Sequence, residues 1–74
     1  MADHDEARTM LAKVLLERVR RDTHPSSTQM TLLEQTMPSE MRDEYVAVLL
    51  DKVLADESPS ITMMRRIARV TQSM

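Results

Sequence analysis

The spacing of apolar residues predicts a long amphipathic helix near the start of the chain. Apolar side chains recur there every three or four positions instead of every second position, which is the periodicity of a helix and not of a strand. Asp3, with Glu6 three residues later, predicts an N-cap and a capping box. Because the residue before a proline disfavours the helical region, this helix should end before Pro25. The positions predicted to face inwards are Ala7, Met10, Leu11, Val14, Leu15 and Val19.

A shorter helix is predicted to follow the turn at Pro25. Ser26 is the expected N-cap, and Gln29 is expected to complete a second capping box. The inward positions of this helix are predicted to be Met30, Leu33 and Met37. The first half of the chain is therefore predicted to be a hairpin of one long and one short helix.

The second half of the chain repeats this arrangement after Pro38. A helix over about residues 40–55 is followed by a turn at Pro59 and Ser60 and then by a last helix. The inward positions are predicted to be Met41, Tyr45, Val48, Leu49 and Val53 in the long helix and Ile61, Met64, Ile67 and Val70 in the last one.

The two halves resemble each other in sequence at an offset of 34 residues. Between Glu6 and Met30, 11 of 25 residue pairs at this offset are identical, whereas chance would give roughly two. The matching segments include VLLERV at residues 14–19 and VLLDKV at residues 48–53. We interpret this as a tandem duplication within a single helical domain, residues 1–74, with repeat units 6–37 and 40–71. The fold class is therefore predicted to be all-α, with four helices forming a compact bundle or an interleaved dimer.

Composition excludes several classes of protein. The chain has 74 residues and contains no Gly, Cys, Trp or Phe, which excludes a disulfide scaffold, a thiolate metal site and a glycine-rich phosphate loop. A chain this short buries only about 60% of the surface that unfolding exposes. Its eight methionines fill space but specify core geometry poorly. The core is therefore expected to be thin.

Some apolar residues lie beside the predicted inward stripes and widen the apolar arc. A single hairpin partner would not cover this arc, so we expect a protein partner or a second copy of the chain to bind there. The alternative is a compact bundle that buries both flanks of the arc internally. The predicted function is a non-catalytic protein–protein interaction module, a self-associating small adaptor, accessory or assembly subunit such as a viral or phage component. The candidate partner-binding residues are Leu16, Leu32, Val46, Leu50 and Leu54.

The charge distribution suggests an alternative, a small helix-turn-helix-like DNA-binding regulator. The net charge is −2, but the last helix carries only basic charges, at Arg65, Arg66 and Arg69. Arginines contact phosphates and guanine edges, so these three are the candidate DNA contacts. Against this, residues 26–58 carry seven acids and only two bases, which would repel a phosphate backbone.

The sequence predicts no catalytic site, cofactor or metal centre. His4 lies in an acidic N-terminal segment that is explained by favourable interaction with the helix dipole, and His24 falls in a turn. No serine has the context of an activated nucleophile. No apolar run is long enough to span a membrane, so a membrane is not expected as a partner. Because no set of catalytic groups is predicted, a small-molecule substrate is not expected either. The expected location is the cytoplasm or the interior of a viral particle or assembly.

Overall fold

All regular structure in the computed structural model, which describes residues 4–56 and 60–72, is helical. The elements are α1 (His4–Arg21), α2 (Ser27–Thr36), a short 3₁₀ helix (Ser39–Met41), α3 (Arg42–Ala55) and α4 (Ile61–Gln72). No strand occurs within the two described ranges. Over the residues that the structure describes, the prediction of an all-helical fold with four α-helices is confirmed.

The chain divides into two compact units, each containing two α-helices. The first unit ends at Met41 and the second begins at Arg42. Helix α1 packs against α2 in the first unit, and α3 packs against α4 in the second. Each unit is thus a hairpin of helices, while the single domain with repeat units 6–37 and 40–71 stays a prediction.

The turn between α1 and α2 follows the sequence signals closely. Helix α1 ends four residues before Pro25, and Ser26 has the extended backbone typical of an N-cap, with φ −72° and ψ 150°. The main-chain N–H of Gln29 donates a hydrogen bond of 3.1 Å to Oγ of Ser26. The reciprocal half of the predicted capping box is not formed, because Oε1 of Gln29 is buried and has no hydrogen-bond partner. The other predicted capping box begins at Asp3, outside the described residues.

The start of α4 repeats the geometry of the start of α2. The main-chain N–H of Met63 donates to Oγ of Ser60 at 3.3 Å. The first main-chain bonds also match, from Met30 to the carbonyl of Ser26 and from Met64 to that of Ser60, both 3.1 Å. Helix α3 ends 34 residues after α1, and α4 begins 34 residues after α2. The local structure therefore follows the same offset as the sequence.

The core of the first unit includes only part of the stripe predicted on α1. The predicted residues Leu15 and Val19 are buried, and so are Ala12 and Leu16, which lie beside that stripe. Met10, Leu11 and Val14 were predicted to face inwards, which is wrong: their exposed fractions are 61%, 42% and 59%. Apolar residues occupy more than half of the circumference of α1, and α2 packs against the side that includes the small residue Ala12. In α2 the predicted inner residues Met30 and Leu33 are buried.

A polar contact also joins α1 to the end of α2. Nη2 of Arg8 donates a hydrogen bond of 2.7 Å to the main-chain carbonyl of Gln35. The last carbonyls of a helix have no partner within the helix, so a guanidinium group stabilises this end.

In the second unit the predicted inward positions are largely confirmed for α3 and partly wrong for α4. Tyr45, Val48 and Leu49 are buried, as their spacing indicates, whereas the predicted residue Val53 is half-buried. In α4, however, Ile61 and Met64 are exposed, and the buried residues are Arg66 and Val70. The buried face of α4 is rotated by roughly a quarter turn from the predicted stripe, as the 100° step per residue of a helix implies. The long apolar stem of an arginine allows such a position to face a core.

Candidate functional site

The predicted partner-binding leucines and valine are not all on the surface. Leu16 is only 4% exposed, so it belongs to the core of the first unit and is not available to a partner in this structure. Leu32 on α2 is exposed, and Val46 on α3 is half-buried. Leu50 and Leu54 are 43% and 80% exposed. Leu50 and Leu54 lie one helical turn apart and therefore share a face of α3.

A second apolar surface lies on α1, opposite the side that packs against α2. We call it the α1 outer face and define it by Ala7, Met10, Leu11 and Val14, all of which are exposed. Sequence reasoning missed this surface because it assigned the same four residues to the core. The available signal was the width of the apolar arc of α1, which exceeds what one neighbouring helix covers.

Basic side chains surround the carboxyl-terminal half of the α1 outer face. A groove of about 380 Å³ is lined there by Lys13, Val14, Glu17, Arg18 and Arg21. Glu17 is the acidic residue of this group, and it already pairs within the helix, at 3.0 Å to Nη1 of Arg20 and 3.8 Å to Nε of Arg21. The groove thus has an apolar wall, provided by Val14, and a net positive charge.

The exposed side of α3 combines apolar residues with acidic ones. We call it the α3 outer face and define it by Asp43, Ala47, Leu50 and Leu54, which recur every three or four positions and are all exposed. Its exposed charged neighbours, Glu44 and Asp51, are acidic as well. The two basic residues of α3, Arg42 and Lys52, are half-buried instead. The charge of this face is therefore opposite to that of the groove on α1.

The three arginines of the last helix do not form one surface. Arg65 and Arg69 are exposed and lie one turn apart on α4, whereas Arg66 is only 8% exposed. The predicted DNA-contacting set is therefore reduced to two accessible guanidinium groups.

The remaining candidates for a chemical site among the described residues are the two histidines and any cluster of metal-ligating side chains. His4 and His24 are exposed. Across residues 4–56 and 60–72, no group of three or more His, Cys, Asp or Glu side chains could hold a metal ion. Two further shallow grooves, of about 340 and 330 Å³, lie on the first unit. Of the helices that the structure describes, none has the length and apolar character needed to cross a membrane.

Comparison with protein-family models, with curated proteins and with solved structures finds no match to this chain.

Proposed function

We propose that this chain is a non-catalytic protein–protein interaction module that self-associates and acts as a small adaptor, accessory or assembly subunit. The observation that supports this is the set of large apolar side chains on its surface. They occur on each of the four α-helices, at Met10, Leu11, Val14, Leu32, Leu50, Leu54, Ile61 and Met64.

For a chain this small, the amount of exposed apolar surface indicates a binding surface. Single exposed leucines are normal in any protein, but clustered ones mark binding surfaces. Here they form outer faces on α1 and α3, with three large apolar residues on the first and two on the second. A small core supplies only about 3–5 kcal/mol, so burial of these faces in an assembly would add substantially to stability.

The proposed architecture is a tandem duplication of a helical hairpin, arranged as a compact bundle or an interleaved dimer. The matching caps at Ser26 and Ser60 and the 34-residue offset of the helix bounds support the duplication. Two similar units in one chain present similar elements twice, which suits a subunit that binds like partners. We place it in the cytoplasm or within a viral particle or assembly.

Light scattering coupled to size-exclusion chromatography tests the proposed function. We expect the molar mass of the chain to rise from that of a monomer towards that of a dimer as its concentration increases through the micromolar range. A molar mass that stays monomeric up to millimolar concentration would contradict self-association.

A DNA-binding role is the second candidate, favoured by the exposure of Arg65 and Arg69 on a helix without acidic residues. It predicts that the chain retards duplex DNA in low-salt gels and that the R65Q/R69Q variant does not. Absence of any retardation by the unmodified chain at low salt would exclude this role.

A further inference from the structure

We propose that the α1 outer face of one copy binds the α3 outer face of a second copy, with the two helices antiparallel. This interface specifies the self-association proposed above and rests on it. It assigns a role to Met10 and Val14, which the sequence placed in the core, and pairs them with Leu50 and Leu54.

The apolar residues of the two faces have matching spacing. Met10 and Val14 are four residues apart on α1, and Leu50 and Leu54 are four residues apart on α3. In an antiparallel pair, each step forward along one helix is a step backward along the other. Val14 can therefore lie against Leu50 while Met10 lies against Leu54. Side chains repeating every three or four positions on both helices can interdigitate in this way.

The same alignment brings together opposite charges. With Val14 against Leu50, Arg21 lies opposite Asp43, and Glu17 lies opposite the small residue Ala47. Arg18 then flanks the contact on the same side as Glu44. In this alignment the basic groove at the end of α1 meets the acidic first turn of α3. Such complementarity fixes the orientation and register of an interface.

The parallel alternative lacks this match. Setting Met10 against Leu50 and Val14 against Leu54 in parallel would place Arg18 and Arg21 beyond Ala55, where α3 ends. The acidic first turn of α3 would lie at the other end of the contact, far from the basic groove. The charge pattern therefore selects the antiparallel arrangement.

A second observation supports the α1 outer face as a contact surface. Val14 and Val48 occupy equivalent positions of the repeat and are the same residue type. Val48 is buried, whereas Val14 is 59% exposed. The repeat thus has a valine at this position in both units, and in the first unit it is available for a second copy to cover.

Charge reversal tests the pairing of the two faces. In sedimentation equilibrium, we expect R18E/R21E and D43R/E44R each to weaken association by about tenfold, because attraction across the interface becomes repulsion. The combined variant R18E/R21E/D43R/E44R should restore association, since its charges are again opposite. The matched control R65E/R69E reverses two exposed arginines outside the interface and should associate like the unmodified chain. Circular dichroism checks that each variant remains helical.

The outcomes separate this interface from the broader proposal. An unmodified chain that stays monomeric overturns both. An unmodified chain that associates, while R18E/R21E associates equally well, overturns only the interface. The interface alone is also overturned if the combined variant is helical but does not recover association.

Cysteine cross-linking provides a test that does not alter charge. The chain contains no cysteine, so single substitutions report specific contacts. Under mild oxidation, a mixture of V14C and L50C should form a mixed disulfide dimer, whereas V14C alone should form little. A disulfide requires Cα atoms within about 7 Å. Efficient disulfide formation by V14C alone would indicate α1 against α1 and would overturn the proposal, as would absence of the mixed dimer.

Discussion

The buried amide oxygen of Gln29 is an unsatisfied hydrogen-bond acceptor in the first unit. Oε1 has no hydrogen-bond partner, and an unsatisfied buried acceptor costs about 1–3 kcal/mol. The equivalent position of the second unit holds Met63, an apolar residue of similar length. We therefore expect Gln29→Met to raise the free energy of unfolding by about 1 kcal/mol, measured by urea denaturation at low protein concentration. The control Gln35→Met alters an exposed side chain and should change stability little. A destabilised Gln29→Met variant would contradict this interpretation of the orphaned oxygen.

The side chain of Ser26 stabilises the start of α2 by a single hydrogen bond. Its Oγ accepts from the main-chain N–H of Gln29 at 3.1 Å, and loss of an N-cap side chain costs about 1 kcal/mol. Ser26→Ala should lower the free energy of unfolding by that amount in the same denaturation measurement. Ser27→Ala changes an exposed serine within the first turn of α2 and serves as its neighbour control. Equal effects of the two substitutions would show that the cap contributes nothing specific.

Within the helices, equivalent residues of the two units differ in burial. Leu16 of α1 and Leu50 of α3 match in the repeat, yet Leu16 is in the core and Leu50 is exposed. Leu16→Ala should therefore lower the free energy of unfolding by about 2–4 kcal/mol. Leu50→Ala should cost under about 1 kcal/mol, since it removes less buried area. Thermal unfolding followed by circular dichroism, at concentrations too low for association, measures both. Similar losses at the two positions would mean that the halves bury equivalent faces after all.

The sequence predicts where the helices begin and end better than it predicts which side of each helix is buried. Local signals determine the helix ends, whereas packing between helices determines the buried side. Helix bounds depend on local signals, such as the cap at Ser26 and the helix-breaking effect of Pro25 on the residues before it. The buried face of α1 depends on which side of a wide apolar arc α2 covers, and periodicity alone does not determine that. For the same reason the exposed apolar residues were predicted only in part. Leu50 and Leu54 lie outside the main stripe of α3 and are exposed as predicted, whereas Met10 and Val14 lie within the stripe of α1 and were expected to be buried.

At the scale of the whole molecule, the proposed interface makes association depend on salt in a specific way. Its apolar contacts are insensitive to screening, but the pairs formed by Arg18 and Arg21 with acidic residues of α3 are not. The Debye length is about 10 Å at 0.1 M salt and 3 Å at 1 M. Raising the NaCl concentration across this range should therefore weaken dimerisation of the unmodified chain severalfold, as measured by sedimentation equilibrium. The neutralised variant R18Q/R21Q should associate more weakly at low salt and respond little to added salt. If both proteins responded equally, the arginines of α1 would have no part in the contact. Association would then be attributed to apolar surface alone, and the antiparallel register would lose its support from charge.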